Sequence, residues 1–227
     1  MMILEDNKLA DYIKDYPALL NFLDRLGVKL GFRDNTIKQV CEQYNLEVKF
    51  VIDLMMLIIN RDEFNPNYLD NYAVINTVKY LKNSHQSYEF DYLPEIESLI
   101  NRLAELERNR ELDCKLLMMY FKEYKDDFIK HINYEDSVIF PLIVNANNTN
   151  EDINKDNIVA EYMQNHDNLD EKLVDLKNLL IRYFRPFENI AIIRSIINLL
   201  FEMEEDLRIH ELIENKILFP KAQIINY

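Results

Sequence analysis

Apolar residues recur at steps of three and four along four long segments of the chain, and histidine and glutamate interrupt those same stripes. One stripe carries Val74, Val78, Leu81, His85, Tyr88 and Tyr92. A second carries Leu117, Tyr120, Tyr124, Phe128, His131 and Glu135. The third has Tyr162, His166, Leu169 and Leu173, and the fourth Leu199, Met203, Leu207, His210 and Glu214. This period predicts four amphipathic helices with the named residues on their buried faces. Pro94 is expected to kink or restart the first helix, because its ring cannot accept the normal hydrogen-bonded turn. An Asn-rich loop over 145–157 should part the second helix from the third, and Arg185-Pro186 the third from the fourth.

Shorter helical pieces precede these four: one before Pro17, one from Pro17 to Leu26, one from about Thr36 to Tyr44 and one from Glu47 to Ile59. Gly27 and Gly31 bracket a break among them. The polar stretch NRDEFNPNYLDN then reads as a linker, with Asp70 or Asn71 placed to cap the next helix. The expected organisation is a small helical N-terminal domain over 1–60, a linker over 61–71 and a four-helix bundle over 72–227.

With two glycines and six prolines in 227 residues, the chain lacks the turn punctuation of a β fold, so it is read as all-α. Its net charge of −14, without a basic run, argues against nucleic acid as a partner. The longest apolar run, Phe50 to Ile59, is interrupted by Asp53 and falls well short of the roughly 20 residues a membrane span needs. No signal-like pattern opens the chain, so no membrane partner and a cytoplasmic location are expected. Cys41 and Cys114 are far apart and outside any CxxC arrangement, which favours reduced core thiols.

The stripes contain a repeat. HINYEDSVIFP, starting at His131, returns 79 residues later as HELIENKILFP, starting at His210. His131, Glu135, Val138, Ile139, Phe140 and Pro141 thus correspond to His210, Glu214, Ile217, Leu218, Phe219 and Pro220. Each copy follows a lone histidine: His85 lies 46 residues before His131, and His166 lies 44 before His210. A helical hairpin present twice predicts a four-helix bundle with a pseudo-twofold axis. The Phe-Pro tails are expected to serve helix-end packing.

Histidine and glutamate four apart project from one helix face and can reach a common point in the bundle axis. An unpaired ionised Glu among Leu, Tyr and Phe would cost several kcal/mol, so something must compensate it. One buried histidine is commonly just hydrogen-bonded, and one His-x3-Glu pair is a common helical coincidence. The duplicated phrase, its shared tail and the paired lone histidines outweigh that reading. His85, His131, Glu135, His166, His210 and Glu214 are therefore the predicted metal ligands. Imidazole with carboxylate and no thiolate suits Fe, Mn or Zn, and a paired, carboxylate-bridged site suits two Fe ions best. Two six-coordinate ions have about twelve positions, of which four imidazoles, two bridging carboxylates and one bridging oxygen fill about ten. About one open position per ion argues for binding a small ligand such as nitric oxide, oxygen or peroxide.

At these residues the chain resembles the hemerythrin-like di-iron proteins, and among them the family called repair of iron centres, or iron-sulfur cluster repair. The match runs from about Asn71 to Lys221 through His85, His131-x3-Glu135, His166 and His210-x3-Glu214. The resemblance implies an oxo-bridged di-iron centre with both glutamates bridging. It also implies a role in nitrosative or oxidative stress: restoring damaged iron-sulfur proteins, handling nitric oxide or donating iron. Oxygen-carrying hemerythrins typically use five histidines and an Asp, and this chain has four histidines in all. The small helical N-terminal domain of the repair family usually shows a Leu-Gly near a Cys-Cys pair, with a further Cys in the next helix. Leu26-Gly27 and Cys41, in TIKQVCEQY, match, but Gly31 and Phe32 stand where the pair would be.

Tyr88, Tyr124 and Tyr162 are candidates to surround the centre, and equally ordinary core aromatics. A hemerythrin-like oxygen sensor or store is the competing function, and a purely structural bundle without metal is a third possibility.

Overall fold

A computed structural model describes residues 3–60, 74–149 and 168–221. The protein is all-α; among the described residues there is no strand, only one isolated antiparallel bridge between Lys8 and Thr36. No helix among them is long and apolar enough to cross a membrane. The predicted linker at 61–71 lies outside the described residues. Contacts divide the chain into two compact units, Met1–Ser84 with Arg208–Tyr227, and His85–Leu207.

The first unit opens with α1 (Leu9–Asp15), α2 (Leu19–Arg25), α3 (Ile37–Tyr44) and α4 (Val48–Ile59), the four short pieces the sequence predicts. Local chemistry sets their ends. Thr36 Oγ1 accepts from the Gln39 backbone N–H at 3.2 Å while Gln39 Oε1 accepts from the Thr36 N–H at 2.9 Å, a reciprocal cap that starts α3. Gly27, at φ +74°, ends α2: its N–H reaches the Asp24 carbonyl at 2.8 Å, and that of Val28 reaches Leu23 at 2.9 Å. This left-handed stop satisfies carbonyls the helix would otherwise leave open, and glycine adopts it without strain. Leu26-Gly27 is therefore a helix terminator. The buried face of α4 is Phe50, Val51, Leu54, Met55, Leu57 and Ile58. The following helix, α5 (Val74–Ser87), is tied to α2 in this unit, because Asn83 Nδ2 donates to the Arg25 carbonyl at 2.7 Å.

The second unit contains α6 (Leu93–Leu106), α7 (Glu111–Tyr134), α8 (Phe140–Thr149), α9 (168–178) and most of α10 (Ile190–Ile213). Its core joins Leu93, Ile96, Ile100 and Leu103 of α6 to Leu117, Phe121, Tyr124, Phe128 and Ile132 of α7, with Leu173 and Leu176 of α9 and Ile196, Leu200 and Met203 of α10. Ion pairs mark the seams: Lys125 to Glu97 at 2.7 Å, Lys172 to Glu123 and Asp127 at 2.7 and 2.6 Å, and Lys177 to Glu204. Two expectations are corrected here. Tyr120 is 40% exposed, and Phe121 takes the core position beside Leu117 and Tyr124, because the helices packed against α7 face that side. Helix α8 also continues through Asn145–Thr149, where the sequence predicts a loop; the remainder of that loop, 150–157, lies outside the described residues.

The Phe-Pro tails are not helix ends. Each proline follows the residue that closes a five-residue π turn, where the backbone bond spans five residues. Leu93 N–H reaches the Tyr88 carbonyl before Pro94, Phe140 reaches Glu135 before Pro141, and Phe219 reaches Glu214 before Pro220. Proline has no N–H to offer and its ring clashes with the carbonyl four residues back, so widening the preceding turn makes room and the helix resumes. The expected restart at Pro94 is this event. The break at Arg185-Pro186 is a true interruption, with Phe184 in extended conformation and α10 starting at Ile190.

Glu107 pins that end of the second unit. Buried to 1% exposure, its Oε1 accepts from Asn189 N–H and Nδ2, both at 2.7 Å. Burial pushes its pKa up, but Asn189, the Glu188 backbone and Arg110 outweigh it and hold the carboxyl below the usual range. A depressed carboxyl stabilises the fold above its unfolded pKa, and that contribution disappears as pH falls through the folded value. Glu107→Ala should cost about 2–3 kcal/mol at neutral pH. Thermal unfolding of both proteins across an acid series should show the gap narrowing as pH falls.

Candidate metal centre

In the second unit the four-residue spacing places His131 and Glu135 one turn apart, at the junction of α7 with its π turn. His131 Nε2 lies 3.2 Å from Glu135 Oε1. His85 arrives from α5, with Nε2 at 3.2 Å from the other carboxylate oxygen, Oε2. One buried carboxylate therefore presents a separate oxygen to each of two imidazoles from different helices. His85 and Glu135 are each 1% exposed. The outer nitrogen of His85, Nδ1, meets Asp136 Oδ1 at 3.0 Å, and the Phe140 ring stacks on the imidazole at 5.5 Å and 13°. Burial alone would lower the His85 pKa, but hydrogen bonds and charge from Asp136 and Glu135 raise it to about 9.

The first unit carries the matching pair. His210 Nε2 stands 3.3 Å from Glu214 Oε1, and both side chains are buried. Glu214 opens a π turn as Glu135 does, so the two copies of the phrase share backbone form as well as sequence. Such turns recur at functional sites because they redirect side chains within a helix. His166 and Tyr162 lie outside the described residues.

His85 with Glu135 in the second unit, and His210 with Glu214 in the first, are the kind of buried donors that hold a cation. Within each pair the spacing fits one. Two donors each about 2.1 Å from an ion and at right angles to it lie about 3 Å apart, close to the 3.2–3.3 Å between each imidazole nitrogen and its carboxylate oxygen. His131, whose side chain is 8% exposed, borders a cavity of about 560 Å³ lined also by Asp127, Lys130, Tyr134 and Lys172.

Sequence reasoning missed carboxylates at two places in the phrase. Asp127-x3-His131-x3-Glu135 is matched by Asp206-x3-His210-x3-Glu214, so the repeat extends one turn further back than the histidine. Asp127 accepts from Lys172 and Lys130, bonds that hold its carboxyl below the usual range, and Asp206 is buried. The second, Asp136, has no acidic counterpart, because Asn215 occupies its place in the other copy. Comparing the copies outward from the histidines would have found the first; only the fold shows what Asp136 touches.

Tyr88 and Tyr124 are buried around Phe128, with ring centroids 5.7 and 5.9 Å from it, and burial pushes the Tyr124 hydroxyl pKa up. Cys41 and Cys114 are buried free thiols. Burial, with a smaller push from Glu42, raises the Cys41 pKa to about 11, which leaves little thiolate at neutral pH. The variant carrying Cys41→Ala and Cys114→Ala should keep the iron content of the parent. In the folded parent, iodoacetamide should label both thiols slowly by mass spectrometry; fast labelling of Cys41 would show a reactive site.

Comparison with known proteins agrees with this geometry. Residues 94–222, more than half of the chain, match the family described as Hemerythrin HHE cation binding domain. The iron-sulfur cluster repair protein ScdA of Staphylococcus haemolyticus is 20% identical over 223 residues, covering 97% of this chain and 99% of the relative. ScdA of Staphylococcus epidermidis is 20% identical over 226 residues, covering 97% of this chain and 100% of the relative. With duplicated His-Glu pairs, an all-α frame and a family match across the repeat, the chain belongs to the hemerythrin HHE cation-binding family.

Proposed function

We propose that this protein is a di-iron protein of the nitrosative and oxidative stress response, acting in the cytoplasm on damaged iron-sulfur proteins or on nitric oxide. In this reading His85, His131, His166, His210, Glu135 and Glu214 hold two Fe ions in one oxo-bridged centre. Residues 1–60 form a small domain ahead of the bundle at 72–227. The observation that carries the proposal is Glu135, which turns one oxygen to His85 and the other to His131, so two histidines from different helices would share this carboxylate with any ions they held. Full-length similarity to iron-sulfur cluster repair proteins supports the biological role.

When bound, the iron pair supplies redox and Lewis-acid chemistry toward small ligands. The chain's own residues set the terms of access. Buried carboxylates require compensating cations, and the apolar core around Phe128 and Phe140 disfavours bulky charged ligands. The test is metal analysis of protein from iron-supplied cells, then anaerobic titration of the reduced protein with nitric oxide, followed by optical and electron paramagnetic spectra. About two irons per chain and a spectral change with nitric oxide are expected. Unchanged spectra in a fully loaded sample would rule out the nitric oxide role, and a stable reversible oxygen adduct would move the assignment to oxygen binding.

A further inference from the structure

We propose that Asp136 is a positioning residue that sets the orientation of His85 for metal binding and makes the two halves of the repeat unequal. This rests on the metal-centre reading of the proposed function. His85 is held at three points: Nε2 faces Glu135 Oε2 at 3.2 Å, Nδ1 faces Asp136 Oδ1 at 3.0 Å, and one ring face lies against Phe140. With the Nδ1 hydrogen held by Asp136, Nε2 beside Glu135 is the nitrogen that would give up its proton and bind a metal. The carboxylate also makes the imidazole a stronger donor than an amide partner would.

Two observations separate this from ordinary packing. The Asp136 side chain is 34% exposed, so the residue sits at the margin of the core and adds little burial. Its counterpart in the repeat is Asn215, whose amide donates to Glu211 Oε1 at 3.3 Å. The phrase is thus duplicated in its histidine, glutamate and proline but not in this carboxylate.

The experiment is anaerobic titration of metal-free, folded protein with cobalt(II), followed by its visible ligand-field bands, for the parent, Asp136→Ala, Asp136→Asn and Asp136→Glu. Circular dichroism and thermal unfolding of each metal-free form report folding separately. Asp136→Ala is expected to weaken one of the cobalt-binding steps by about 10- to 100-fold and alter its bands. Asp136→Asn, which retains an oxygen acceptor without the charge, should fall between parent and alanine, and Asp136→Glu should restore much of the affinity. Parental affinity and spectrum in folded Asp136→Ala would overturn the proposal. So would a loss of metal-free stability with cobalt binding unchanged, because that marks a structural role alone. If the parent itself binds no cobalt or iron, the metal-centre reading fails first and this inference with it.

Discussion

Replacing Glu135 by alanine is expected to reduce iron from about two per chain to fewer than one, and the further change of Glu214 to remove it almost completely. The reason lies in the two oxygens. Glu135 Oε1 and Oε2 each stand 3.2 Å from a different histidine, so one truncation removes a donor from both. Imidazoles without the two glutamates would leave the positive charge of any bound ions in a buried site with no carboxylate bound to them, which the low-dielectric interior penalises. The loss should also appear in stability. A ligand that binds only the folded chain raises its stability by mass action, so iron should raise the melting temperature of the parent and leave the double variant unmoved. The measurements are elemental analysis per chain and thermal unfolding with and without iron. Full iron occupancy in the folded double variant would remove both glutamates from the assignment.

Phe140→Ala should cost the metal-free fold about 3–5 kcal/mol, more than the loss expected for Glu107→Ala. The ring is 1% exposed and rests on His85, so truncation opens a cavity and frees the imidazole on one face. For a chain of this size each kcal/mol is worth about 2–4 °C, so the melting temperature should fall by about 6–20 °C. Phe219, 2% exposed at the same place in the second copy, provides an internal comparison. Phe140→Leu restores most of the volume but not the stacked ring, and should recover most of the stability. A loss below about 1 kcal/mol for Phe140→Ala would show that the core closes over the gap and that the phenylalanine does not hold the histidine.

The sequence by itself determined the helices, because their signals are local. The 3.6 period puts Val74, Val78 and Leu81 on one buried face, and Thr36 with Gln39 caps α3 within one turn of backbone. The His-x3-Glu phrase was legible for the same reason, since four residues along a helix fix two side chains on one side whatever surrounds them. Tertiary structure decided what periodicity cannot carry. It chose Phe121 over Tyr120 for the core, because which of two neighbouring aromatics turns inward depends on the helices packed against α7. It turned the Phe-Pro tails from helix ends into π turns, because a proline ring can be accommodated by widening the turn when the helix on both sides is held by packing. The contacts of His85 were decided the same way: Glu135 lies 50 residues away in sequence and Asp136 lies 51, so only the packed fold shows that the two nitrogens of one imidazole are given to these two carboxylates.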